Sequence, residues 1–133
     1  MPAYVDTSAW IALHEPRDAN HERAREQLHS LVERRIGLLT GWHSVVEFAD
    51  GLARHYDQRT AADQVERILT SRVVRVVSSE PHLRAALDVL RKNPEWGLDA
   101  SDALSAALMR AEGVGTVFTY DSDFTKLKFN VIG

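Results

Sequence analysis

The sequence predicts an α/β domain: a central parallel sheet of about four or five strands, flanked by helices. Three observations carry this reading. Short apolar runs recur along the chain, separated by stretches with apolar residues at helical spacing, the alternation expected of βαβ units. Two of the runs, Tyr4-Val5 and Val117-Phe118, lead into acidic turns at Asp6 and at Asp121. The run Val73-Val74-Arg75-Val76-Val77 is β-branched and nearly continuous, as in a strand covered on both faces.

The first unit, Ala3 to Leu13, is a short strand, then a carboxylate and two hydroxyls, then an apolar segment compatible with a helix. Pro16-Arg17-Asp18 ends it. Ala24, Leu28, Leu31 and Val32 then recur between charges and predict a surface helix over residues 18–35. Gly37-Leu38-Leu39-Thr40 is either a buried strand or a loop plug. A helix runs from Trp42 to Tyr56 with Val45, Phe48 and Leu52 on its apolar face, and Thr60 is read as the cap of another. Ser79-Glu80-Pro81 starts a helix continued by Leu83, Ala86, Leu87 and Leu90. Asn93 to Gly97 is a loop. Asp99 to Glu112 is a helix closed by Gly113. Thr116 to Thr119 and Lys128 to Ile132 are the last two strands.

One domain, residues 1–133, accounts for the whole sequence, which is long enough for a single core. Hydrophobic residues make up 44% and charged residues 26%, which excludes a disordered chain. No run is long enough for a membrane span and no segment resembles a signal peptide, so a cytoplasmic protein without a membrane partner is expected. The absence of cysteine excludes a disulfide framework, a zinc–thiolate site and a thiol nucleophile. A net charge of -3 argues against binding nucleic acid through bulk positive charge. It leaves room for a nuclease whose clustered acids lower the total.

Four acids stand out. Asp6 and Asp121 both follow strands, and a parallel sheet brings such positions to one edge, where functional groups collect. Each also suits a turn or a helix cap. Asp102 lies in a helix that is apolar around most of its circumference, and a carboxylate there needs a partner because an isolated buried charge is costly. It also suits a first-turn acid favoured by the helix dipole, behind Asp99 or Ser101 as cap. Glu47 shares a helical stripe with His43, Asp50 and Arg54, opposite the apolar face. That stripe means solvent unless it borders a cleft. His43 and Glu47 have metal-pair spacing, but no further ligands match it. Asp6-Thr7-Ser8 begins like an Asp-x-Ser-x-Ser adhesion motif, but Trp10 stands at its fifth position. There is no glycine-rich phosphate loop and no nucleophile elbow.

In their order and spacing the acids resemble those of the PIN-domain ribonucleases, in particular the VapC-like toxins of bacterial toxin–antitoxin pairs. The resemblance covers essentially the whole chain. It rests on Tyr4-Val5-Asp6-Thr7-Ser8-Ala9, Val45-Val46-Glu47-Phe48, Asp102-Ala103-Leu104-Ser105-Ala106-Ala107, and Phe118-Thr119-Tyr120-Asp121-Ser122-Asp123-Phe124. Asp99 is an extra acid just ahead of Asp102. The resemblance implies that Asp6, Glu47, Asp102 and Asp121 are the catalytic and metal-binding set, with Thr7, Ser8, Asp99, Thr119 and Asp123 in support. Asp123 is expected to cap the short helical turn that begins there. The resemblance further implies Mg²⁺ or Mn²⁺ as cofactor, RNA as substrate and a VapB-like antitoxin as partner, and it allows a homodimer.

The physics is consistent with a metal. Carboxylates about 4 Å apart repel by roughly 4 kcal/mol per pair at an effective dielectric near 20. Such a cluster needs a divalent cation or retained protons, and hard oxygen donors favour Mg²⁺ or Mn²⁺ over Zn²⁺. The alternative is a PIN-like or metal-adhesion-like binding module that holds a cation and a partner without cleaving RNA.

Overall fold

Parallel strands cannot be joined by hairpins, so each connection has to cross the sheet, and helices make most of these crossings. In the computed structural model, which describes residues 1–133, the chain runs β1 (Ala3–Val5), α1 (Thr7–His14), α2 (His21–Glu33), β2 (Leu38–Gly41), α3 (Trp42–His55), α4 (Gln58–Leu69) and β3 (Val74–Val77). It continues through a 3₁₀ turn (Glu80–His82), α5 (Leu83–Lys92), a second 3₁₀ turn (Pro94–Trp96), α6 (Ala100–Ala111), β4 (Thr116–Phe118), α7 (Asp123–Lys126) and β5 (Asn130–Ile132). The five strands are all parallel and ordered β3-β2-β1-β4-β5. The chain builds outward from β1 through β2 to β3, then returns to add β4 on the other side of β1. That reversal places a crevice at the carboxyl ends of β1 and β4.

Side chains alternate along the strands, and the alternation sorts the core. Ala3, Val5, Leu38 and Phe118 join one buried cluster with Trp10, Leu31, Phe48, Leu52 and Ile68 from α1 to α4. Tyr4, Leu39 and Val117 point the other way, onto Ala106, Leu108 and Met109 of α6 and Phe124 of α7. Ala86 of α5 packs with Ala103 and Ala107 of α6, where small side chains let the two helices approach closely. No helix is long and apolar enough to cross a membrane.

Several expected boundaries move. Gly37 to Thr40 contributes a true strand, β2, pairing with β1 and β3. The segment Val73 to Val77 is an edge strand and is not covered on both faces: Val73 precedes it at 47% exposure, and Arg75 is exposed within it. Its β-branched character reflects extended backbone rather than full burial. Thr60 does not cap α4. Asp57 does, its carboxylate accepting from Thr60 N–H at 2.6 Å. The helix expected over residues 18–35 is shorter, because Asp18 is spent on a turn that accepts from Asn20 N–H.

Candidate active site

Two helix N-termini open into the crevice, and an acid sits at each. Asp6 is the N-cap of α1: its Oδ2 accepts from Ser8 Oγ at 2.9 Å, from Ser8 N–H at 3.4 Å and from Thr119 Oγ1 at 2.8 Å. Asp6 thus caps α1 and also places its charge where it acts on Asp102. Asp99 is the N-cap of α6 and accepts from Asp102 N–H at 2.8 Å. This aims the first turn of α6, and with it the buried Asp102, toward the end of β4. Beyond β4, Thr119 Oγ1 accepts from Asp121 N–H and Ser8 Oγ accepts from Tyr120 N–H, which fastens the acidic turn to α1.

Carboxylate oxygens of Asp102, Asp121 and Asp123 all lie within 4.8 Å of one another. Asp6 and Glu47 stand outside that tight group; the charge of Asp6 acts on Asp102, and Glu47 responds to Asp6 and Asp99. Burial, then the charges of Asp121, Asp99 and Asp6, push the Asp102 carboxyl up to about 8. Burial also raises Asp6, although the Thr119 and Ser8 hydroxyls oppose the rise. At Asp102 desolvation and like charge outweigh the helix dipole that favours a first-turn acid. Lys126, whose Nζ lies 3.2 Å from Asp123 Oδ1, is the cation paired with this group.

Asp123 does not cap α7: it is the first residue of the helix, Ser122 holds the N-cap position without a side-chain cap bond, and Asp121 Oδ1 accepts from Asp123 N–H at 2.9 Å in the turn ahead of it. Asp123 starts α7 and points back to Lys126, three residues on. Chain bending after Tyr120 brings both acids to Asp102, so extended-strand alternation does not separate them.

Glu47 is exposed, as its place on the helical wheel suggested. The His43–Glu47 end of its stripe nevertheless meets α6, where Ser101 Oγ donates to the Glu47 carboxylate. Partial burial raises Glu47, and the charges of Asp6 and Asp99 add to the rise. Thr7 Oγ1 donates to Ser44 O at 3.2 Å and ties the start of α1 to α3. The sequence offers Ser101 only as an alternative cap for α6, a place that Asp99 takes, and carries no sign of its bond to Glu47. His43 was visible on the stripe of Glu47, but the hydroxyls that bond its ring, Ser79 and Ser105, are set by the fold.

A family model for the PIN domain matches residues 3–130. The chain is a PIN domain. Over 127 residues this PIN domain is 32% identical to the 23S rRNA-specific endonuclease VapC20 of Mycobacterium tuberculosis, covering 95% of this chain and 94% of that protein. The crystal structure of VapC20, described as a Sarcin-Ricin loop cleaving toxin, superposes with a TM-score of 0.86 at 30% identity over 96% of this chain and 95% of that one. VapBC2 from Rickettsia felis, bound to a DNA fragment from its promoter, shares the fold at TM-score 0.75 and 14% identity, covering 99% and 98% of the two chains.

Proposed function

We propose that this PIN domain is a Mg²⁺- or Mn²⁺-dependent endoribonuclease that acts in the cytoplasm as the toxin of a toxin–antitoxin pair. The observation that carries the reading is the group Asp102, Asp121 and Asp123, with Asp102 pushed up to about 8 by burial and by the neighbouring carboxylates. Its donors are all hard carboxylate oxygens, which fit Mg²⁺ or Mn²⁺. The resemblance to VapC20 supports RNA as the substrate and a toxin as the setting.

In this reading Asp102 and Asp121 hold the cation, with Asp6 and Glu47 completing the set and Asp123 at its rim. Thr119 and Ser8 fix the rotamer of Asp6, Thr7 ties α1 to α3, and Asp99 orients Asp102 through its backbone. A bound divalent cation supplies charge to polarise the phosphodiester and acidify water. The protein supplies a site whose acids are placed before substrate arrives, so little reorganisation remains for the reaction.

The partners follow from surface chemistry. A groove of about 390 Å³ between α1, α2, α4 and β3 is lined by Trp10, Leu13, Leu28, Val32 and Ile68, with Arg25 and Arg67 among its lining residues. Apolar walls with cationic residues suit an acidic amphipathic helix, the chemistry assigned here to a VapB-like antitoxin. Trp42 and Val46 on α3, and Leu83 and Leu87 on α5, are exposed one turn apart on their helices and suit a homodimer face.

The test is to incubate metal-stripped protein with short RNAs, with and without Mg²⁺ or Mn²⁺. Cleavage should require the metal and vanish in Asp6→Asn and Asp102→Asn while both variants stay folded. Metal binding without cleavage would favour the binding module, and cleavage by either variant would remove the acids from the chemistry.

A further inference from the structure

Behind the acids lies a second set of polar groups that the proposed chemistry does not use. His43 stands in the first turn of α3 with both ring nitrogens engaged: Nδ1 is 2.5 Å from Ser79 Oγ and Nε2 is 2.7 Å from Ser105 Oγ. Ser105 Oγ donates to Tyr4 Oη at 3.3 Å, Gly41 N–H donates to the same phenol at 3.1 Å, and Ser44 Oγ lies 2.7 Å from it. Tyr4, Ser44 and Ser105 have no exposed surface, and Ser79 has 5%.

Donor counting gives this network one direction. Ser105 gives its proton to Tyr4, so it accepts from Nε2–H. A neutral imidazole then accepts at Nδ1 from the Ser79 hydroxyl, and Tyr4 passes its own proton to Ser44. Burial keeps the ring neutral, holding His43 down to about 4 against the opposing pull of the Ser101 carbonyl and the Asp99 charge. Gly41 makes room for the arrangement: a Cβ there would lie 2.7 Å from Ser79 Oγ and 2.8 Å from the His43 ring.

The network has a member beside the site acid on each of three elements. Tyr4 precedes Asp6 by two residues, on the same face of β1 and its extension. His43 is one turn before Glu47 on α3, and Ser105 one turn after Asp102 on α6. The other direct link between α3 and α6 at this level is the solvent-facing bond from Ser101 to Glu47, which competes with water and holds little by itself.

We propose that His43 is a positioning residue: by bridging Ser79 and Ser105 it locks α3 to α6 and sets the spacing of Glu47 from Asp6 and Asp102 on which cation binding depends. The inference rests on the metal-site reading above, and its test separates the two. Full-length, metal-stripped wild type, His43→Ala, His43→Gln, Ser105→Ala and the His43→Ala/Ser105→Ala double variant would be titrated with Mn²⁺ by calorimetry. Amide hydrogen exchange would be followed on the same samples without metal. His43→Ala and Ser105→Ala should each weaken Mn²⁺ binding by about tenfold or more, the range for groups that orient ligands from behind. The double variant should lose no more than either single one, because both remove the same bridge. His43→Gln should recover part of the loss, since its amide still reaches one hydroxyl. Exchange should quicken in the first turns of α3 and α6 and stay unchanged in α2.

Wild-type Mn²⁺ affinity in folded His43→Ala or Ser105→Ala, whatever their melting temperatures, would reduce His43 to packing and overturn the proposal. If His43→Ala does not fold, His43→Gln and Ser105→Ala decide by the same criterion. If wild type binds no Mn²⁺, the metal-site reading fails by itself; unchanged exchange in α6 would then overturn the bridge as well, and faster exchange would uphold it.

Discussion

Raising the pH should weaken the metal-free protein. In the unfolded chain Asp102 ionises near the ordinary value of 3.8, whereas in the fold burial first, and Asp121 next, push it up to about 8. Between these values the folded state keeps a proton that the unfolded state has released. Stability therefore falls as pH rises and levels off only above the folded value. His43 acts in the opposite sense. Held down from 6.5 to about 4, it contributes fully above pH 6.5 and loses that contribution as pH falls toward 4; His14, lowered by burial, has the same sign. Below about pH 6.5 these slopes oppose one another, and above it the raised carboxyls act alone with Asp102 foremost. From about pH 6.5 to about 8, at roughly 1.4 kcal/mol per pH unit, the loss is about 2 kcal/mol, less whatever solvent at the mouth of the site screens. For a domain of this size that is roughly 5–8 °C in Tm. The assay is thermal melting in chelator, stepped from pH 6.5 to 8.5, for wild type and Asp102→Asn. The variant should have a much flatter profile. Mn²⁺ competes with the proton for the same carboxylates, so it should raise the wild-type Tm more at pH 8 than at pH 6.5. Parallel profiles for the two proteins in chelator would refute the reasoning.

Asp121→Asn keeps an acceptor for Asp123 N–H, so it should leave Tm unchanged and cut RNA cleavage by at least about tenfold, a barrier rise of roughly 1.4 kcal/mol. Asp123→Asn loses its partly exposed pair with Lys126, about 0.5 kcal/mol or less, and should mainly soften the response to Mn²⁺; kinetics showing the reverse ranking would make Asp123 the fourth acid. Expression of the protein alone should slow growth and expression of Asp6→Asn should not; equal growth would remove the toxin reading and leave the nuclease standing. Val32→Glu puts a negative charge in the groove beside Arg25 and should abolish co-purification with the cognate antitoxin without touching cleavage in vitro; undiminished co-purification would place the partner elsewhere.

Strand and helix order was legible because each element is short and strongly patterned, and α3 runs from Trp42 to His55, one residue short of its expected end. What the pattern did not hold was sheet position. A parallel strand at the edge and one at the centre carry the same β-branched residues, so Val73 to Val77 looked more buried than it is. Local hydrogen bonding hid in the same way: Asp57 and Thr60 are both good caps, and only backbone geometry chooses between them. At the site, Asp6 and Asp102 were marked by their strand end and apolar helix. Glu47 carried no such mark, because a helical wheel registers polarity but not which neighbour the polar stripe meets. His43 was legible only as a spare ligand, since the hydroxyls that satisfy its ring come from residues 36 and 62 positions away.

The central place of β1 has a consequence for when the protein becomes competent. Asp6 N–H donates to the Phe118 carbonyl, and its carboxylate bonds a hydroxyl 113 residues further along the chain. Contacts of that separation form late in folding, because the loop they close is nearly the whole domain. A nascent chain that has emerged only through α6 carries Asp6, Glu47 and Asp102, but no β4 against β1 and no Asp121. Synthesis order thus delays assembly of the acidic group until β4 and the turn after it have been made.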